Sequence, residues 1–425
     1  MKPQVLIVGG GMITHDQLLP SLYQMQRQGR IGEISVCALR GRDLQPLMDA
    51  PDLAEAFPGQ SFRGFPDSSD PDKPQPDLFE EVIARLPPRG IVVVAVPDHL
   101  HFKVIMTALR HEQHVCAVKP LVLKHAESLE IAREAHSRGL MVGVEYHKRF
   151  DDRSPMARRK YRAGLFGEFK LGTACLLEKW YYRHSNFQNW MTTANSDAFT
   201  YVGCHYVDLV HFITGLLPVS VSVYGIPDRY PNGNLGFLWT DARIIWNNGA
   251  CLNVQNALGF PDAAPGTNTQ GLVMYCKGET NGALISHSDQ YRGLKYSYAR
   301  TSGDAGATIY AEPSPDYFQY VDLGGIGLTP VGYGYRSVEY IVETCIRVES
   351  ETGSLAARQA MLREIDAAGI VATPANSGYN ELVIEASRES ILHGGKVVNI
   401  EYSPAAERAE PDFELGEPAI VTSSS

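Results

Sequence analysis

Lys119 stands directly after the apolar run HVCAV and directly before Pro120. Proline lacks an N–H and pins its backbone, so this lysine is held in a reproducible place at the end of a strand. Two readings are open. The ammonium can hold a substrate oxygen, lower the cost of oxyanion formation and relay a proton if its pKa is depressed. Otherwise it is a solvated strand end. His205 and Asp208 lie in GCHYVDLVHFITG, among Val207, Leu209, Val210 and Phe212. Their i,i+3 spacing puts them on nearly one face of a helix. His205 is the candidate acid or base, because imidazole titrates near neutrality. Asp208 either orients it or anchors a loop. His211 lies further along beside Phe212 and reads as a core or interface histidine.

A lysine so placed does redox chemistry only beside a hydride acceptor. The run VLIVGGGMIT has the form of a strand entering a phosphate-holding turn. Gly9 permits the tight turn and Gly11 lets the backbone approach a pyrophosphate. Met12 and Ile13 lead into a helix start whose N–H groups meet the charge. Thr14 replaces the third fingerprint glycine, so this helix is expected to sit slightly higher on its strand. At the end of the next strand, VCALRGRD puts Arg40 where an acid usually accepts the adenine ribose hydroxyls. Arg40 either pairs with a 2′-phosphate or stacks on adenine while Asp43 supplies the acid, so NAD and NADP both stay open. Pro97, in VAVPDHLH, ends a strand and turns the chain over the nicotinamide-side ribose. His101 is then a donor near the cofactor or a hydrogen-bonded surface histidine. Pro120 belongs to the same cofactor-facing rim.

The segment EYHKRFDD, 145–152, joins two predicted domains and sets Tyr146, Lys148 and Arg149 near a cleft mouth. These can bind sugar hydroxyls or a carboxylate, and Arg149 can equally clasp an inter-domain acid. In EKWYYRHSNFQNW, 178–190, Trp180, Tyr181 and Trp190 can stack on pyranose faces while Arg183, His184 and Asn186 read hydroxyls. Aromatics at period two also fill buried sheets, and that alternative stays open. No metal is expected, since His205 and Asp208 have no linked third ligand of specific spacing. Neither a GxSxG elbow nor a Walker A motif occurs.

The elements that must position these residues change character near residue 150. Before it, apolar runs at 4–8, 34–39, 91–96, 114–118 and 140–145 alternate with helical stretches, which predicts a doubly wound parallel sheet of Rossmann type. Right-handed crossovers would place Gly9, Pro97 and Lys119 near one edge. Residues 50–77, rich in Pro, Asp, Ser and Gly, read as a long loop or insertion. After 150, alternating stretches predict an α/β domain with a large, open, mainly antiparallel sheet covered on one side. Among them are DARIIWNNGACLNVQNAL and LKYSYAR, interrupted by a helix at 201–215. Further helices are predicted at 335–350, 353–367 and 378–391. The expected division is a dinucleotide-binding domain at 1–150, a substrate-binding and oligomerisation domain at 151–395, and a strand with a polar tail at 396–425. That tail is read as loose or as an arm on a neighbouring subunit.

The chain has 425 residues, more than one hydrophobic core usually spans. Its 38 Lys and Arg against 48 Asp and Glu give a formal charge of -10, which argues against nucleic acid as a main partner. Seven cysteines are scattered without CxxC spacing, as expected for reduced thiols in a cytoplasmic protein. No signal peptide or membrane span is expected.

In order and spacing these pieces resemble the glucose–fructose oxidoreductase / inositol dehydrogenase / MocA (Gfo/Idh/MocA) family over about residues 1–395. The resemblance is carried by GGGMIT, VPDHLHFKVIMTALRHEQHVCAVKP, GVEYHKRF, ARRKYRAGLFGEF and GCHYVDLVHFITG. It extends through GYGYRSVEYIVET and YNELVIEASRESILHGGKVV. The resemblance implies that Lys119 is the lysine of a Glu-Lys-Pro motif whose Glu is Val118 here. It implies that His205 is the catalytic histidine, with Tyr201 where the family often has Asp. A phenol is a much weaker acid than a carboxyl group, but it can donate to a substrate oxygen. The activity so implied is NAD(P)-dependent oxidation of a sugar or glycoside hydroxyl, with C3 the candidate carbon; the open antiparallel face is expected to carry a homo-dimer or homo-tetramer interface. Two alternatives remain: glycoside cleavage by oxidation, elimination and re-reduction on retained NAD, and a non-catalytic cofactor-bound sensor or structural subunit.

Overall fold

The computed structural model describes residues 2–67, 70–264, 266, 268–288, 297–301, 307–311, 316–350, 353–402 and 419–422. The chain divides into two compact units, 1–151 with 317–378 and 152–316 with 379–425.

The first unit is built on six strands: β1 (Val5–Val8), β2 (Ile34–Cys37), β3 (Arg63–Phe65), β4 (Ile91–Val94), β5 (His114–Val118) and β6 (Val142–Glu145). Their order is β3-β2-β1-β4-β5-β6 and every pairing is parallel. β1 and β4 are buried throughout, as their unbroken VLIV and IVVV runs require of strands covered on both faces. Parallel pairing puts the turn after Val8, the loop after Val94, Lys119 and the end of β6 along one sheet edge. Residues 50–77, expected as a loop or insertion, instead contain a helix at Pro51–Ala56 and the edge strand β3. Three residues, Arg-Gly-Phe, are too few to show a period, and their pairing with Ser35–Cys37 makes them a strand.

Residues 317–378 pack with this first unit rather than with the residues that precede them in the chain. The helix Tyr333–Ser350 buries Val338, Ile341, Val342, Cys345 and Val348 in one core with Val5, Val36, Val93 and Cys116. Gly143 in β6 permits the approach, because a Cβ there would lie 2.6 Å from Ile341 Cγ2. Ala372 extends the ladder through a bond from Val144 N–H to its carbonyl. An amphipathic stripe shows that a helix covers some apolar face. It does not say which of two sheets supplies it, so the boundary drawn at 150 could not anticipate this return.

The second unit carries an eight-stranded sheet. It uses β7 (Glu168–Lys179), β8 (Pro218–Arg229), β9 (Leu235–Trp246), β10 (Cys251–Phe260), β11 (Asn268–Lys277) and β12 (Gly282–His287). Short ladders follow: β13 (Ser297–Thr301) with β14 (Ala307–Ala311), and, in the first unit, β15 (Gln319–Val321) with β16 (Thr329–Val331). β17 (Val398–Glu401) and β18 (Ala419–Thr422) complete the large sheet, whose order is β12-β11-β7-β10-β9-β8-β17-β18. Only the β7–β10 pairing is parallel. Alternate residues of β9 are buried, and the helix Cys204–Thr214 shares their core through Val207, Val210 and Ile213. Residues 294–296 of the predicted strand LKYSYAR lie outside the described residues, as do 403–418 and 423–425 of the polar tail. Among the described residues, no helix is long and apolar enough to cross a membrane.

Candidate active site

The glycine turn needs Gly9 for two reasons. Its φ is +120°, and a Cβ there would lie 2.1 Å from the Ala95 carbonyl oxygen. The Gly9 N–H donates to Cys37 O, tying the turn to β2. At Gly11 nothing lies within 4 Å of a Cβ, so the backbone is open to a ligand. The helix that follows starts with a wide π turn, Thr14–Leu18, before Leu19–Arg27 continues as α-helix. Thr14 is buried and its hydroxyl donates to Gly9 O at 2.7 Å, so the residue replacing the third glycine braces the turn. Met12 and Ile13 are half-buried at the entry. Arg40 is half-buried just beyond β2, whereas Arg42 pairs with Asp72. An open, glycine-framed turn at a helix start, with a cation beyond β2, fits a dinucleotide.

Lys119 follows β5 and is half-buried, with a cis peptide bond to Pro120. Behind it lies His101, which is fully buried. Its Nδ1 is 2.8 Å from Pro120 O and 3.1 Å from Leu121 O, and its Nε2 is 2.9 Å from Val96 O. The ring therefore ties the exit of β4 to the exit of β5. It is not a surface histidine, and its nitrogens face backbone carbonyls. Pro97 and Lys119 are thus held by one clamp.

Tyr146, Lys148 and Arg149 are all buried. The Lys148 ammonium donates to Tyr333 Oη at 3.5 Å, and the Arg336 guanidinium caps Phe150 O. Between the predicted residues lie two that sequence reasoning passed over. Glu145, the last residue of β6, is buried and accepts from Gln17 Nε2 at 2.8 Å and from the Ser337 hydroxyl. His147 Nδ1 lies 3.2 Å from Glu145 Oε2, and its ring packs on Tyr317 and Tyr333. Burial holds the His147 pKa below the ordinary imidazole value; Glu145 opposes this, and the charges of Lys148 and Lys119 add to it. An acid ending a parallel strand next to the one that delivers Lys119 was the signal available in the sequence.

In the second unit, a π turn at Phe199–Gly203 leads into the helix Cys204–Thr214. Tyr201 sits in that turn, half-buried, with its ring against Phe187 and Trp190. His205 and Asp208 are buried. Asp208 accepts from Tyr379 Oη at 2.7 Å, and His211 stacks on the same tyrosine at 3.9 Å. Asp208 is therefore joined to the helix Pro374–Leu392. Arg183 is 2% exposed: it donates to Asp228 at 2.7 Å and to Leu258 O, with its guanidinium over the Trp180 ring at 3.7 Å. That bond holds the Asp228 carboxyl below its usual range. Trp190 is buried, whereas Trp180, Tyr181 and His184 are exposed. The structure thus gathers Pro97, His101, Lys119, Pro120 and the 145–149 turn in one unit, and Tyr201, His205 and Asp208 in the other.

Residues 4–146, the glycine turn and Lys119 included, match the family model of the Gfo/Idh/MocA oxidoreductases, described as an NAD-binding Rossmann fold. The chain carries an N-terminal Gfo/Idh/MocA oxidoreductase domain. This Gfo/Idh/MocA domain binds a nicotinamide dinucleotide, NAD or NADP. Levoglucosan dehydrogenase of Pseudarthrobacter phenanthrenivorans is 22% identical over 273 residues, 59% of this chain and 68% of that protein. The 2,7-anhydro-N-acetylneuraminate hydratase of Escherichia coli is 22% identical over 134 residues, 32% of this chain and 36% of that protein. Among solved structures, GenD2 from gentamicin A biosynthesis, in complex with NAD, is 17% identical. It aligns with a TM-score of 0.62 over 94% of this chain and 96% of that one. Scyllo-inositol dehydrogenase from Lactobacillus casei, with NAD(H) and scyllo-inositol, aligns at 0.58 with 14% identity over 94% and 99%. These likenesses extend the shared fold from the Gfo/Idh/MocA domain across the second unit.

Proposed function

We propose that this protein is an NAD(P)-dependent dehydrogenase of a sugar, polyol or glycoside hydroxyl. Lys119 holds the reacting oxygen, while His205 or Tyr201 receives its proton. The bound nicotinamide supplies the hydride acceptor. Lys119 stabilises the developing oxygen charge through its fixed ammonium, a contribution that strengthens as water is excluded. The observation that carries the reading is the half-buried Lys119, held between Val118 and Pro120 at the edge of a nicotinamide-binding sheet. The relative named for levoglucosan, an anhydrosugar, supports the substrate class. Oxidation at C3 is the specific form proposed, in a homo-oligomer.

A second reading is cleavage of a glycoside by oxidation, elimination and re-reduction on retained cofactor. Tyr201 in place of a carboxylic acid favours it, as does the relative named as a hydratase of an anhydro-sugar acid. One experiment separates the two. The protein is incubated with NAD or NADP and a panel of polyols, sugars, anhydrosugars and glycosides, and both nicotinamide absorbance and released aglycone are followed. Stoichiometric NAD(P)H supports the dehydrogenase. Aglycone without net reduction supports the second reading. Turnover undiminished in Lys119→Met refutes both.

A further inference from the structure

Glu145 and His147 form a carboxylate–imidazole pair at the same sheet edge as Lys119, and the dehydrogenase reading gives them no task. The register of β5 and β6 pairs Val118 with Glu145, so Lys119 and His147 leave the ends of adjacent parallel strands. Glu145 is held on both sides. Gln17, in the π turn that follows the glycines, donates to it and accepts from Tyr317 Oη. Ser337 donates from the helix Tyr333–Ser350. A carboxylate fixed in this way and 3.2 Å from Nδ1 selects the tautomer with a proton on Nδ1. Nε2 is then left as the basic nitrogen. The carboxylate of Glu145 and the ammonium groups of Lys148 and Lys119 act on the ring electrostatically, and the phenols of Tyr317 and Tyr333 pack against it. The ring is kept neutral by burial and by the two ammonium groups, which is the state of a base.

We propose that His147, oriented by Glu145, is a proton-accepting partner of Lys119 and acts through the lysine rather than on the substrate. This rests on the dehydrogenase reading and adds to His205 and Tyr201 an acceptor inside the first unit. A bound nicotinamide would accept the substrate C–H pair as hydride, and the O–H pair would become the second bond of the carbonyl. The hydroxyl proton passes to Lys119 nitrogen as the ammonium gives one proton to His147. The lysine ends unchanged and the imidazole ends as imidazolium beside Glu145. His147 is thus a positioning residue for Lys119, and the relay gives the proton a route away from the carbonyl oxygen.

The test has two arms, both on the full chain. NMR titration of His147 in the absence of substrate reads its coupling to Lys119. The imidazole should titrate below a free histidine, rise in Lys119→Met, and fall further in Glu145→Gln. Steady-state kinetics on a substrate from the panel above reads its use. In His147→Asn, kcat should fall about 10- to 100-fold and lose its acid limb, with KM and nucleotide affinity within about twofold. A His147 titration unmoved by Lys119→Met overturns the proposal. So does an unchanged kcat–pH profile in His147→Asn. If the wild type oxidises nothing in the panel, the dehydrogenase reading fails instead, and the titration still decides whether lysine and histidine are coupled.

Discussion

Single side chains hold the candidate site together by spending their hydrogen bonds on backbone. His101 is the clearest case, since its ring faces the carbonyls of Val96, Pro120 and Leu121. Replacing it with Phe keeps an aromatic ring and removes the ring N–H that serves these carbonyls. The expected cost is about 1–3 kcal/mol, read by chemical denaturation. A larger fall in kcat than in nucleotide affinity should accompany it, because Lys119 loses its brace. Asp366 gives a pH-dependent prediction. Burial raises its carboxyl from 3.8 to about 6, against a hydrogen bond from Thr373. A raised acid contributes stability below its unfolded pKa and loses it as pH rises through about 6. Asp366→Asn keeps an acceptor for Thr373, so it should match the wild type near pH 4 and exceed it above pH 6, by on the order of 1 kcal/mol. Equal denaturation midpoints at both pH values would contradict this.

At the scale of elements, the site depends on where strands stop. β1 ends in a turn that admits only glycine at position 9, because φ is +120° and the Ala95 carbonyl occupies the space of a side chain. Gly9→Ala should weaken NAD(P) binding by at least about tenfold, measured by calorimetry, with a lower melting temperature. The GGG run announced this turn, and the VLIV, IVVV and HVCAV runs announced the buried strands around it. What Thr14 does was not readable. Its hydroxyl bond to Gly9 O and the π turn that starts the helix depend on how far the helix stands from β1. The segment 178–190 shows the same limit. Its aromatics and cations suited sugar binding, but Arg183 is buried against Asp228 and Leu258 O. A sequence lists donors without saying which acceptor reaches them first.

For the whole molecule, the chain leaves the first unit at residue 151 and returns to it at 317–378. The returning helix Tyr333–Ser350 shares the Rossmann core, and Ser337 on it donates to Glu145. A fragment of residues 1–151 should therefore expose the apolar face that this helix covers, and should aggregate or bind hydrophobic dyes. The same fragment linked to 317–378 should fold cooperatively and bind NAD(P). A fully cooperative, dye-silent 1–151 fragment would show the return segment to be dispensable.

Local pattern alone was enough for the parallel strands, the glycine turn, Lys119 at a strand end and the open antiparallel sheet. Each of those depends on near neighbours in sequence: apolar runs, missing side chains and a proline ring. Tertiary structure decided that 317–378 completes the first unit, that β3 is an edge strand, and that His101 clamps two loops. It also decided that Glu145 meets His147 under Gln17 and Ser337. Those outcomes depend on partners distant in sequence, such as Gln17 and Ser337 on Glu145, where packing chooses among several partners that the sequence offers equally well.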